Sequence, residues 1–380
     1  MAGQLTQSEA RWGLRATLDA VVASYSQILF VRSTAVGVLL MMATALQPRL
    51  GLHGLLAVVV AVVTARALQF SDELIRSGIY GYNALLIGLG TAALLSSNSF
   101  AITVLVAGAV LSVFVTAASQ SAGTNSRLPV LTVPFLAVYY LIIATTTSLG
   151  LSLNALPAGP ETSFLPDWVQ LFLKSLGMIF FLPRVDVGAL VLLALLVYSR
   201  LATLYAFVGL GIALAVMHIS ALSVLAGDIF PYLLTLNLVF TAIALGGVWF
   251  VPSRSALLLA VVGALAAAAM TVSAAPLLAG FGLPILILPF NLSVFLVLYA
   301  FRQRTRDEHP KAVEFIPGTP ERNFSYYDTH VARFGAHYSM RLQAPFAGQW
   351  LCTQGVDGEH THQGVWRHAF DFEVAGPDCS

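Results

Sequence analysis

The octapeptide Leu128-Pro129-Val130-Leu131-Thr132-Val133-Pro134-Phe135 returns 155 residues later as Leu283-Pro284-Ile285-Leu286-Ile287-Leu288-Pro289-Phe290. No other feature constrains the fold as tightly. Each proline removes a backbone donor and drives its ring into the preceding turn. Two of them five residues apart therefore stop one helix and start another. Two further landmarks recur in the same order. Asn83, followed by Gly88 and Gly90, returns as Asn237 with Gly246 and Gly247, 154 residues on. Phe30, three residues after Gln27, returns as Phe181, three after Met178, at an offset of 151. Three landmarks in one order at nearly one offset mark a duplication. The first repeat covers about 11–150, a linker 151–169 and the second repeat about 170–301.

Lipid is the solvent for both repeats. Of 380 residues 58% are hydrophobic and 10% charged, with a mean hydropathy of +0.82. A soluble domain carries roughly 25% charged residues. Between Asp19 and Phe301 the only acidic residues are Asp72, Glu73, Glu161, Asp167, Asp186 and Asp228, all near the edges of apolar stretches. Those stretches run roughly 35–48, 53–68, 83–96, 100–118 and 129–149, then 171–183, 187–199, 201–218, 232–251, 255–279 and 283–301. Several fall short of the ~20 residues a full crossing needs. Short, Pro-interrupted segments at matching places in two halves point to broken helices around a central site. In hydrocarbon, irregular backbone survives only inside protein or along a polar path. The fold class is thus an all-α integral membrane protein of two repeats, whose Pro breaks meet at a pseudo-symmetry axis and line a pore. The first 34 residues hold Glu9, Arg11, Arg15, Asp19 and Arg32, and read as an uncleaved amphipathic segment rather than a signal peptide.

Other partners are excluded or left open. A net charge of +1 without a basic run rules out nucleic acid. Cys352 and Cys379 can pair or stay free. Residues 302–380 hold 18 of the 37 charges and six of the eight histidines, and so form a water-facing tail of irregular or β structure. Arg302, Arg304 and Arg306 favour a cytoplasmic C-terminus.

At its motifs the sequence resembles the urea transporter family. Gly78-Ile79-Tyr80-Gly81-Tyr82-Asn83-Ala84-Leu85-Leu86-Ile87-Gly88 is similar to that family's Gly-x-x-Gly-(Tyr/Phe)-Asn-x-x-Leu-x-Gly signature. Leu128–Phe135 resembles its Leu-Pro-x-x-Thr-x-Pro-Phe, and Ser26-Gln27-Ile28-Leu29-Phe30 its (Gly/Ser)-Gln-Val-x-(Phe/Tyr). The resemblance implies a homotrimer in the inner (plasma) membrane, each protomer with its own pore between inverted halves. It implies a passive channel for urea or a similar small neutral amide, with no cofactor. Phe30 and Phe181 are then slot aromatics, Thr132 the mid-pore hydroxyl, Gln27 an amide at the mouth, and Phe240 a further wall residue. Urea is flat, neutral and rich in donors, so an unpaired passage costs several kcal/mol. Freed carbonyls at the breaks, with Gln27 and Thr132, are the expected acceptors, and ring faces select a planar molecule.

The second half departs from this pattern. Met178 stands where Gln27 stands and Ile287 where Thr132 stands, so half of the polar ladder is missing. The glycine-rich signature has decayed to Tyr232-Leu233-Leu234-Thr235-Leu236-Asn237. A coupled transporter usually places an ionisable group inside the bundle, and His218 is the one candidate near mid-span.

The tail resembles the opening of an M23-type zinc peptidase domain, in Ala344-Pro345-Phe346-Ala347-Gly348 and Gly364–Phe372. That resemblance makes His368 and Asp371 the first two zinc ligands. The later His-x-His does not occur before Ser380, and His360-Thr361-His362 precedes the pair. Catalytic zinc needs three protein ligands. The tail is expected to be an incomplete domain without peptidase activity, and zinc is expected only in a complete one. An envelope metallopeptidase with a membrane anchor is the remaining alternative.

Overall fold

The computed structural model describes residues 13–96, 98–126, 128–151, 154–157, 159–160, 163–219, 229–305, 309–313, 318–335, 350–358 and 360–374. Asp228, Arg306, Cys379 and the Ala344–Gly348 motif lie outside them. The first repeat forms α1 (Leu14–Ser26), α2 (Thr34–Ala45), α3 (Pro48–Ala67), α4 (Asp72–Arg76), α5 (Ile79–Leu94), α6 (Ser99–Ser126) and α7 (Val133–Ser148). The second forms α8 (Asp167–Gly177), α9 (Val185–Tyr198), α10 (Arg200–Ile219), α11 (Phe230–Ile243), α12 (Arg254–Ala279) and α13 (Leu288–Phe301). Packing repeats with the sequence. In each half the first two helices pack on each other, and the next long pair does so as well (α3 on α5, α10 on α11). The chain then continues α5–α6–α7 in the first half and α11–α12–α13 in the second. The halves meet along α2 and α9.

Among the described residues five helices are long and apolar enough to cross a membrane, or up to seven if each bent pair is one span. The two bent pairs are α1 with α2 and α8 with α9, each turned by 84°. Residues 14–29 of the segment read from sequence as amphipathic are thus the first arm of a bent pair. This arm buries Ala20, Val21, Ala23 and Tyr25. Gly37 and Gly188, 151 apart, make both bends compact: a Cβ on either would collide with a carbonyl of the preceding arm, Val22 or Leu173. α5 is buried along nearly its whole length, as befits a central helix. α3 and α12 bury small residues inward (Ala57, Ala61, Ala65; Ala260, Ala264, Ala267). Their outward faces are also apolar, with Leu52, Val63, Leu258 and Val262 exposed. A helix hydrophobic all round needs lipid outside it.

The compact unit does not end at residue 301, where the charge pattern put the domain boundary. It runs to Thr329. Residues 309–313 and α14 (Pro320–Phe334) form a strap held by backbone pairing. The Val251 N–H donates to the Lys311 carbonyl (2.8 Å), and the Val313 N–H to that of Trp249 (3.0 Å). Asn323, 6% exposed, donates to the Gly247 and Val248 carbonyls at 2.8 and 3.1 Å. These close the π-helical turn Ala244–Val248 that ends α11. Glu321 accepts the Leu201 N–H (2.8 Å) at the start of α10, one of the donors a helix N-terminus leaves unpaired. A charged composition marked this stretch as tail, yet its polar groups are spent on helix ends.

The second unit, His330–Ser380, contains an antiparallel pair, β1 (Trp350–Gln354) and β2 (Asp371–Val374). Trp350 faces Val374 and Cys352 faces Phe372, with an irregularity between Cys352 and Gln354. Of the expected metal pair, Asp371 has a different histidine beside it. Asp371 pairs with His362, whose Nε2 lies 3.2 Å from the carboxylate. Gln354 causes this by donating to both Thr361 (2.6 Å) and Asp371 (3.0 Å), while the Gly355 carbonyl holds His362 Nδ1 at 2.8 Å. His368 is exposed in the turn before β2. Among the described residues no three His, Cys, Asp or Glu side chains gather to hold a metal.

Candidate solute pore

The helix breaks gather around one cavity of about 290 Å³. A single 3-10 turn, Gln27–Leu29, ends the first arm of α1–α2, and Phe30 follows it in the left-handed region (φ 61°). Met178–Phe180 and Phe181 (φ 60°) repeat the arrangement. The Pro-x4-Pro loops add a second matched pair, Leu131 (φ 46°) and Leu286 (φ 47°). A non-glycine residue held there costs about 1–3 kcal/mol and persists only where the surroundings enforce it. All four line the cavity. Of the six non-glycine residues with positive φ among the described residues, these four lie at one site.

Two buried asparagines hold the Pro loops in place. Asn83 on α5 accepts the Phe135 N–H (3.1 Å) and donates to the Leu131 carbonyl (3.4 Å). Asn237 on α11 accepts the Phe290 N–H (2.9 Å) and donates to the Leu286 carbonyl (2.8 Å). Each amide thereby caps the new helix and covers the carbonyl of the left-handed residue before it. The Tyr82 hydroxyl also donates to Leu131, and that of Tyr140 to Ile285 (3.3 Å). The carbonyls of Leu131, Ile285 and Leu286, expected to face the solute, already accept bonds from side chains.

The structure brings all seven sequence-chosen residues to this cavity: Gln27, Phe30, Thr132, Met178, Phe181, Phe240 and Ile287. Rings of one half pack on those of the other. Phe30 closes a triangle with Phe240 and Phe290, centroids 6.0–6.2 Å apart. Phe181 packs on Phe135 (6.1 Å) and Tyr139 (5.4 Å). Phe135 and Phe290 stand in the quoted octapeptides but were given no part in the wall. Their position, four residues after the left-handed residue and three after the helix cap, was not visible.

The polar groups are few. Gln27, Gln120, Tyr82, Thr132 and Trp249 join a lining that is otherwise aliphatic or aromatic. No Asp, Glu, Lys, Arg or His stands among the described lining residues. His218 is exposed in the last turn of α10. Sequence reasoning missed Asn291, 1% exposed on α13, which reaches across to the first half. It donates to the Thr132 hydroxyl (2.7 Å) and accepts the Thr132 N–H (3.1 Å). The residue at the matching place in the first half is Leu136, so comparing the repeats gave no signal.

A family model described as "Urea transporter" matches residues 18–302. The chain is similar to proteins named "Urea transporter 1" from Ovis aries and Capra hircus, each 29% identical over 294 residues. The protein of that name from Rattus norvegicus is 29% identical over 303 residues. Each of these alignments covers 74% of this chain and 76% of the relative.

Proposed function

Because this chain belongs to the urea transporter family, we propose that it is a passive channel for urea or a similar small neutral amide. It works in the inner (plasma) membrane as a homotrimer, with one pore in each protomer between inverted halves. The solute enters past Gln27, sheds water between the ring clusters around Phe30 and Phe181, and meets its main side-chain hydroxyl at Thr132. Ring faces admit a flat molecule and give a hydrated ion nothing to replace its shell. Met178 and Ile287 leave the second half without the matching polar groups, so the path is graded rather than symmetric. No cofactor takes part.

One observation carries this reading: the strained breaks and both ring clusters converge on a cavity without an ionisable acid or base among its described lining residues. A coupled carrier usually places such a group inside the bundle. The tail supplies no chemistry to transport, and two ligands do not make a catalytic zinc centre. Stopped-flow shrinkage of proteoliposomes in urea, with and without a proton or sodium gradient, tests the proposal. Equal flux in both supports the channel. Flux that requires a gradient overturns it in favour of coupling.

A further inference from the structure

Asn291 is more than a filler of the broken helix. Its amide orientation is forced: the oxygen faces the Thr132 N–H, and the nitrogen donates both to the Ile287 carbonyl (2.8 Å) and to the Thr132 hydroxyl (2.7 Å). The flipped amide would set donor against donor and acceptor against acceptor. Thr132 Oγ1 is therefore an acceptor toward Asn291, and its own hydrogen must point elsewhere. Among the described residues that hydroxyl has no acceptor, and Thr132 lines the cavity. A donated bond also polarises the O–H that receives it. A second donor stands on the same wall: Trp249 lines the cavity, and its buried indole N–H has no partner among the described residues.

We infer that Asn291 is a positioning residue that makes Thr132 present its hydroxyl hydrogen to the pore, so that the mid-pore site recognises the solute's carbonyl oxygen rather than its amide hydrogens. This deepens the channel reading and rests on it. It reverses the part first expected of Thr132, which was to accept.

Thiourea separates the two directions of bonding, because its sulfur accepts hydrogen bonds more weakly than oxygen while its N–H groups donate at least as well. The experiment measures urea and thiourea permeability of proteoliposomes holding wild-type, Thr132→Val, Thr132→Ser, Asn291→Leu and Asn291→Asp protein, each verified as assembled by size exclusion. Thr132→Val should lower urea flux roughly tenfold and thiourea flux much less, while Thr132→Ser keeps the urea-to-thiourea ratio. Asn291→Leu should narrow the ratio by releasing the hydroxyl. Asn291→Asp should narrow it too, by taking the hydroxyl hydrogen for its own carboxylate. If Asn291→Leu fails to assemble, the aspartate variant and the Thr132 pair still decide. An unchanged ratio in Thr132→Val, or a larger loss for thiourea, overturns the inference while the channel stands. Wild-type protein that carries no urea at all sinks the channel reading itself.

Discussion

Replacing the two clamp asparagines one at a time should expose an asymmetry that the repeats conceal. Asn83→Leu and Asn237→Leu are similar in volume, and each deprives one amide, of Phe135 or Phe290, of its buried acceptor. They differ at the carbonyl. Leu131 keeps the Tyr82 hydroxyl when Asn83 is lost, whereas the corresponding position in the second half is Leu236, which offers Leu286 nothing. An orphaned buried group costs about 1–3 kcal/mol. Hydrogen bonds between membrane helices average nearer 0.6 kcal/mol, because the unfolded chain in lipid also finds partners. The Leu286 carbonyl belongs to a left-handed residue that precedes the helix cap and lies outside the helical ladder, so the upper range applies. Asn237→Leu should therefore be the less stable variant by about 1–2 kcal/mol. The fraction of assembled protein surviving heating in detergent, followed by size exclusion, reads this difference. Adding Tyr82→Phe to Asn83→Leu should bring the two variants level. Equal losses from the single variants, or a larger loss from Asn83→Leu, would refute the argument.

Ile287→Thr restores a hydroxyl opposite Thr132 and should raise urea permeability several-fold; a fall in stopped-flow flux would mean that the cavity is shaped for a less polar solute. A chain stopped after Thr305 uncovers the carbonyls that Asn323 covers and the α10 start that Glu321 caps, so it should lose assembled protein, while a chain stopped after Gly335 should keep both assembly and flux. Equal yields from the two would show that the strap is dispensable. Burial pushes the Glu321 carboxyl up, but hydrogen bonds from the Leu201 amide and Ser199 hydroxyl outweigh it and hold the pKa below its ordinary 4.5. A folded pKa lowered in this way stabilises the strap above that ordinary value, and the gain is lost as pH falls through it. Protease cutting of the strap should rise as the pH is lowered below the ordinary 4.5 and should do so less in Glu321→Gln; a pH-independent pattern in wild type would count against the cap.

Much of this architecture was legible because proline is unambiguous in a membrane. The two octapeptides located the breaks, and the offsets of Phe30 and Phe181 located the bends. Asn83 and Asn237 were visible as landmarks but not as clamps, since their role depends on the left-handed turns that precede each new helix. Asn291 was hidden by the method that found the rest: comparing repeats reveals what they share, and Asn291 acts by differing from Leu136. The strap was hidden by composition. Asn323 and Glu321 are polar because they finish helix ends, which a charge count cannot tell from solvation. In the tail, spacing alone did not show that Asp371 faces His362, nine residues before it.

The central claim is that solute crosses through the cavity between the two breaks. Ile287→Cys, in a chain whose Cys352 and Cys379 are replaced by serine, puts a thiol on the cavity wall. Urea flux through proteoliposomes is measured before and after a small methanethiosulfonate reagent, and again after reduction. Modification should abolish the flux, excess urea should slow that loss, and reduction should restore it. Full urea flux through protein shown by mass to be modified at residue 287 would place the path elsewhere and contradict the account.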